Sequence, residues 1–90
     1  MMKCPRTSGE AFKRLDSLLS EEDKTIIRKT QDINDFHFTL GMWIRNEWLY
    51  PGEKDDVELL MRDFGKSIYF DADMISSEIL NAYQKHLKHQ

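Results

Sequence analysis

Ninety residues with a net charge of −3, 40% hydrophobic and 32% charged side chains fit one globular domain near the lower size limit for folding alone. The acidic balance, with a sequence pI near 5.5, argues against a phosphate-binding face, and no apolar run approaches the roughly 18 residues of a membrane span. The single cysteine, Cys4, excludes an internal disulfide and a thiolate metal site.

Residues 1–6 read as a flexible arm, because Pro5 discourages a helix through them and M-M-K-C-P-R lacks the apolar stretch of a signal peptide. Thr7 or Ser8 then caps a helix through Leu19, with Phe12, Leu15, Leu18 and Leu19 at helical spacing. Ser20 with Asp23 resembles a capping box and opens a second helix to about Thr30, anchored by Ile26 and Ile27. Asp32 or Asn34 starts a third helix that ends near Leu49, ahead of Pro51 and Gly52. The acidic residues Glu53, Asp55 and Asp56 suit a fourth helix start. Val57, Leu60, Met61 and Phe64 supply its inward stripe, and Gly65 is placed to end it in the left-handed conformation. Ile68, Tyr69 and Phe70 make an apolar connector. Asp71 or Asp73 opens a last helix with Ile75, Ile79, Ala82 or Tyr83, and Leu87 inward. The expected architecture is all-α: a compact bundle of about five short helices around a central buried helix, roughly residues 34–49, in one domain spanning 1–90.

That central stretch, D-F-H-F-T-L-G-M-W-I-R-N-E-W-L-Y from Asp35 to Tyr50, holds both tryptophans. At about 100° per residue, Phe36, Leu40, Trp43, Ile44 and Trp48 fan over one arc, and Phe38, Met42 and Leu49 over another. An apolar surface in two directions predicts burial between neighbours. Between the arcs runs a seam of His37, Gly41 and Arg45. Glycine in mid-helix costs about 1 kcal/mol relative to alanine, so something should offset Gly41. One reading is a notch for an anion or carboxylate, with Arg45 as planar fork, His37 as switchable donor, Asn46 beside them and Trp48 as apolar wall. The other, favoured because paired polar groups in helical cores are commoner than sites, is close helix packing at Gly41 with Arg45 paired to an acid.

Enzyme chemistry needs a constellation, and H-E-x-x-H, phosphate-loop and G-x-S-x-G patterns are missing. His86 and His89 share a face, but lack a third metal ligand nearby. Glu21, Glu22 and Asp23 fit compensation of a helix dipole better than a metal helix. Nucleic-acid binding through Lys13, Arg14, Arg28 and Lys29 ranks last. No cofactor and no metal is implied.

The string H-F-T-L-G-M-W-I-R-N-E-W resembles a family of small bacterial proteins known as a domain of unknown function, with the hallmark H-F-x-L-G-x-W-I-R-N-x-W. The matching positions are His37, Phe38, Leu40, Gly41, Trp43, Ile44, Arg45, Asn46 and Trp48, and the likeness covers about the last two-thirds of the chain. The resemblance implies membership and no activity. The expected function is therefore a cytoplasmic interaction module that binds another protein or itself, with Trp48, Tyr50, Tyr69 and Phe70 as partly exposed anchors. The alternative is a small-ligand binder or enzyme using His37, Gly41, Arg45, Asn46 and Trp48.

Overall fold

The computed structural model describes residues 4–65 and 71–89. Three of the helices start where a side chain takes up an orphan backbone N–H. Thr7 Oγ1 accepts from Glu10 at 3.1 Å and opens α1, Ser8–Leu18. Ser20 Oγ accepts from Asp23 at 3.1 Å and opens α2, Glu21–Lys29, whose first turn is acidic and last turn basic, as the helix dipole favours. The short α3, Leu40–Ile44, runs into a wider π-turn at Arg45–Leu49. After Pro51 and Gly52, α4 spans Lys54–Asp63, and Gly65 at φ +73° follows it in the left-handed region open to glycine. Asp71 Oδ1 accepts from Met74 at 2.8 Å and opens α5, Ala72–Lys88.

Among the described residues the fold is an all-α bundle of five helices with one core. The long α5 packs against α1, α2, α3 and the π-turn, burying Ile75, Ile79, Tyr83 and Leu87 at four-residue intervals, with Ser76 and Leu80 alongside. Burying each large aliphatic side chain contributes roughly 1.5–3 kcal/mol, so this row is a main source of cohesion. Polar ties fix its neighbours. Tyr83 donates its hydroxyl to Asp16 at 2.8 Å, joining α5 to α1. Gln84 Nε2 donates to the carbonyls of Ile27 and Thr30, closing the C-terminal end of α2.

Two expectations need correction. The third helix is not continuous. Asp32 accepts the Asn34 N–H and fixes a 3₁₀ turn at Ile33–Phe36, while Thr39, at φ −109° and ψ −91°, turns its hydroxyl back to the Phe36 carbonyl. Short polar side chains that bond local backbone compete with the helical ladder in this way. The helix therefore restarts at Leu40, and Phe38 and Met42, placed inward by the wheel, are exposed. The chain start is also not loose from Cys4 onward. Cys4 and Pro5 are buried, and Arg6 Nε donates to the nearly buried Asp56 Oδ1 at 2.8 Å. A Cβ on Gly52 would lie 3.0 Å from Cys4 Cβ and 2.3 Å from the Trp48 carbonyl oxygen, so the chain start and the turn after the π-turn meet where only glycine fits.

Candidate functional site

The segment from Phe36 to Leu49 has two sides with opposite character. On the first, the restart at Leu40 stacks Gly41 one turn ahead of Arg45, and the absent side chain at 41 leaves room for the guanidinium. Arg45 is buried: Nη1 donates to Ser76 Oγ at 2.9 Å, Nη2 to the His37 carbonyl at 3.0 Å, and Nε faces Asp73 Oδ1 at 3.3 Å. Ser76 donates its own hydroxyl to the Asp73 carbonyl, so it both accepts and donates. A Cβ at Gly41 would sit 3.3 Å from Arg45 Nη1, 3.3 Å from the Phe36 oxygen and 3.5 Å from Leu80 Cδ1. The notch is filled by the protein's own side chains, and the guanidinium fork points into α5.

The other residues of the sequence-derived set scatter. His37 contributes its backbone carbonyl to Arg45, while its ring meets Phe38 edge-on at 4.9 Å. Asn46 is exposed on the π-turn. Trp48, expected as a partly exposed anchor, has no solvent exposure at all. The cause is the π-turn: the Tyr50 N–H donates to the Arg45 carbonyl five residues back, at 2.8 Å, and the extra residue in that turn rolls Trp48 and Leu49 into the core. Trp48 meets Trp43 edge-to-face at 5.3 Å, and its indole N–H has no acceptor among the described residues. Tyr50 is 64% exposed, in keeping with an anchor. Tyr69 and Phe70 lie outside the described residues.

The second side was not singled out by the sequence. Leu18 at the end of α1, Ile26 on α2, and Phe36, Leu40 and Trp43 border an open hollow of about 310 Å³, with Asp23 at its rim. Leu18 and Ile26, placed inward by periodicity, are 47% and 52% exposed. Leu18 and Trp43 also border a neighbouring hollow of about 400 Å³ framed by Glu10, Lys13, Arg14 and Ser17. The two hollows thus form one groove interrupted by a Leu18–Trp43 ridge. Just outside it, Phe38 stands 75% exposed. The signal that could have found this groove was the low count of strong apolar residues on α2. Of its two isoleucines Ile27 is buried, and Ile26, about 100° round the helix, is left half-exposed.

Three ionisable groups are perturbed elsewhere. Burial, reinforced by the Asp56 carboxylate, pushes the Cys4 thiol up to about 11, although Arg14 opposes this. Burial, followed by the hydrogen bond to Asp16, raises the Tyr83 hydroxyl well above the tyrosine range. Hydrogen bonds from Ser8 hold the exposed Asp63 below the carboxylate range. A third hollow, between Phe12, Phe64 and His86, is bordered by Ser8 and Asp63; there His86 stacks on Phe12 at 4.7 Å, and its Nε2 lies 3.8 Å from Asp16. Among the described residues no group of three His, Cys, Asp or Glu side chains is arranged to hold a metal ion, and no helix is long and apolar enough to cross a membrane.

A family model described as Domain of unknown function (DUF6794) matches residues 4–87, a span that reaches further toward the chain start than the two-thirds expected from the motif. No curated protein and no solved structure matches the chain.

Proposed function

The chain belongs to the DUF6794 family over nearly its whole length, and from that premise and the geometry of the groove we propose that this domain is a protein-binding module. The carrying observation is the open groove of Leu18, Ile26, Phe36, Leu40 and Trp43, flanked by the projecting Phe38. Leu18 and Ile26 stand about half-exposed on one wall and Phe36 and Trp43 partly exposed on the other, and a partner's apolar side chains would gain about 25 cal/mol per Å² buried there. An aromatic ring with a broad flat face, as Trp43 offers, is the kind of residue that dominates such interfaces.

The test is a photo-cross-linking residue placed at Ile26 in the native cell, with the same residue at exposed Arg62 on α4 as control. A protein adduct at 26 and none at 62 is the expected result. Equal labelling at both positions, or none at 26, would sink the proposal.

A small anion or carboxylate held by His37, Gly41, Arg45, Asn46 and Trp48 is the weaker reading. Such a ligand would have to displace Ser76, the His37 carbonyl and Asp73 from a guanidinium already directed at all three.

A further inference from the structure

We infer that the partner in the groove is a second copy of the same chain, docked about a two-fold axis across the Leu18–Trp43 ridge. This rests on the groove being a protein-binding surface, and it adds the identity of what binds there. In the wider hollow, Arg14 donates to Glu10 at 2.7 Å, so those two charges largely offset one another. Exposed Lys13 has no ion-pair partner among the described residues, and neither does exposed Asp23 at the rim of the apolar hollow. A cation thus borders one hollow and an anion the other, with the apolar Leu18–Trp43 ridge between them.

A surface of that kind is its own complement. A two-fold rotation about the ridge lays Leu18 and Trp43 against their counterparts and brings Lys13 of each copy to Asp23 of the other, giving the residue i to j, j to i pattern of an isologous interface. A foreign partner carrying a single sign of charge would gain at one end and lose at the other. The net charge of −3 on each copy opposes association weakly at long range. The two complementary pairs supply the local attraction and fix the register.

The experiment uses the full chain in analytical ultracentrifugation and native mass spectrometry. Wild type is expected to dimerise reversibly. Lys13→Asp alone would set acid against acid at both ends, and Asp23→Lys alone base against base, so each should weaken the dimer by about tenfold or more. The double variant should regain wild-type affinity to within about threefold. The sharpest arm mixes the two single variants: one carries two acids, the other two bases, and they should pair with each other in preference to themselves. Asp23 lies in the first turn of α2, so circular dichroism and melting temperature must show that Asp23→Lys stays folded. Ile26→Glu, on the exposed wall, is an independent variant expected to give a monomer.

A wild-type chain that stays monomeric at high concentration overturns the second copy, as does a dimer indifferent to the swaps or a mixture that fails to pair. A cross-link from residue 26 to a different protein, with a monomeric chain, would overturn this inference while leaving the protein-binding reading intact.

Discussion

The two sides of the 36–49 segment hold similar numbers of large residues and were put to opposite uses. Around Arg45 the unusual residues of the motif, a mid-helix glycine and a buried cation, close on each other and on Ser76 until the space is filled. Around Trp43 the ordinary apolar residues Leu18, Ile26, Phe36 and Leu40 fail to close. Chemical oddity within a helix therefore marked the packed side. The plain hydrophobic side, which periodicity assigns to the core, is the one left open to solvent. A buried cation must satisfy its donors inside the fold, whereas a half-exposed leucine is tolerated until something covers it.

The largest expected effect tests the closed side. Arg45→Ala should destabilise the fold by about 3 kcal/mol in denaturant titration, through the lost packing volume and the unpaired Ser76 and His37 groups; the mostly exposed Asp73 adds little to that sum. A loss below about 1 kcal/mol would mean that the guanidinium is a replaceable filler, and the contrast with the groove would disappear.

The closed region extends to the chain start, where the Cys4 thiol provides a pH test. Its folded pKa of about 11 exceeds the 9.0 of the free group, so the folded state holds the proton more tightly. That contribution is fully present below pH 9 and is lost as the pH rises from 9 toward 11, by about 1 kcal/mol between pH 8 and 10. Subtracting the same curve for Cys4→Ala isolates it from other titrations. In alkylation at neutral pH, Cys4 should react at least about 100-fold more slowly than a cysteine introduced by Ile26→Cys, since both its thiolate fraction and its access are smaller.

Smaller again is Gly41→Ala. The added methyl gains helix propensity of about 1 kcal/mol but presses on a backbone oxygen at 3.3 Å that cannot move freely, so a net loss of about 1 kcal/mol is expected in thermal unfolding. A net gain would show that Arg45 and Phe36 give way easily. The smallest change should come from Ile26→Ser on the open side, within about 0.5 kcal/mol of wild type in denaturant titration of the monomer. A cost near that of a buried isoleucine would mean the groove is closed in solution.

The starts of α1, α2 and α5 were legible because each depends on one side chain and its own backbone. Thr7, Ser20 and Asp71 accept the N–H groups their positions imply, and Gly65 takes the positive φ that ends α4. The break at Thr39 and the π-turn at Arg45 were not legible, because both depend on what lies across the bundle. Thr39 could equally have pointed outward along a straight helix. Only the demand that Arg45, Trp48 and Leu49 all face α5 selects a turn with one residue too many. A wheel drawn at constant pitch carries Phe38 and Met42 inward for the same reason, since it crosses an interruption it cannot see. The groove escaped because exposure of Leu18 and Ile26 is a property of which neighbours are missing.

The edge-to-face pair of Trp43 and Trp48 has an optical consequence. One indole lies on the groove and the other is sealed in the core with its N–H unbonded, so their emission should differ in colour, the buried ring bluer and the groove ring redder. At 5.3 Å the rings are close enough to share excitation, and covering Trp43 should shift and sharpen the combined spectrum. The domain thus carries its own label for occupancy of the groove, and a plain dilution series in a fluorimeter can follow its assembly without any added dye.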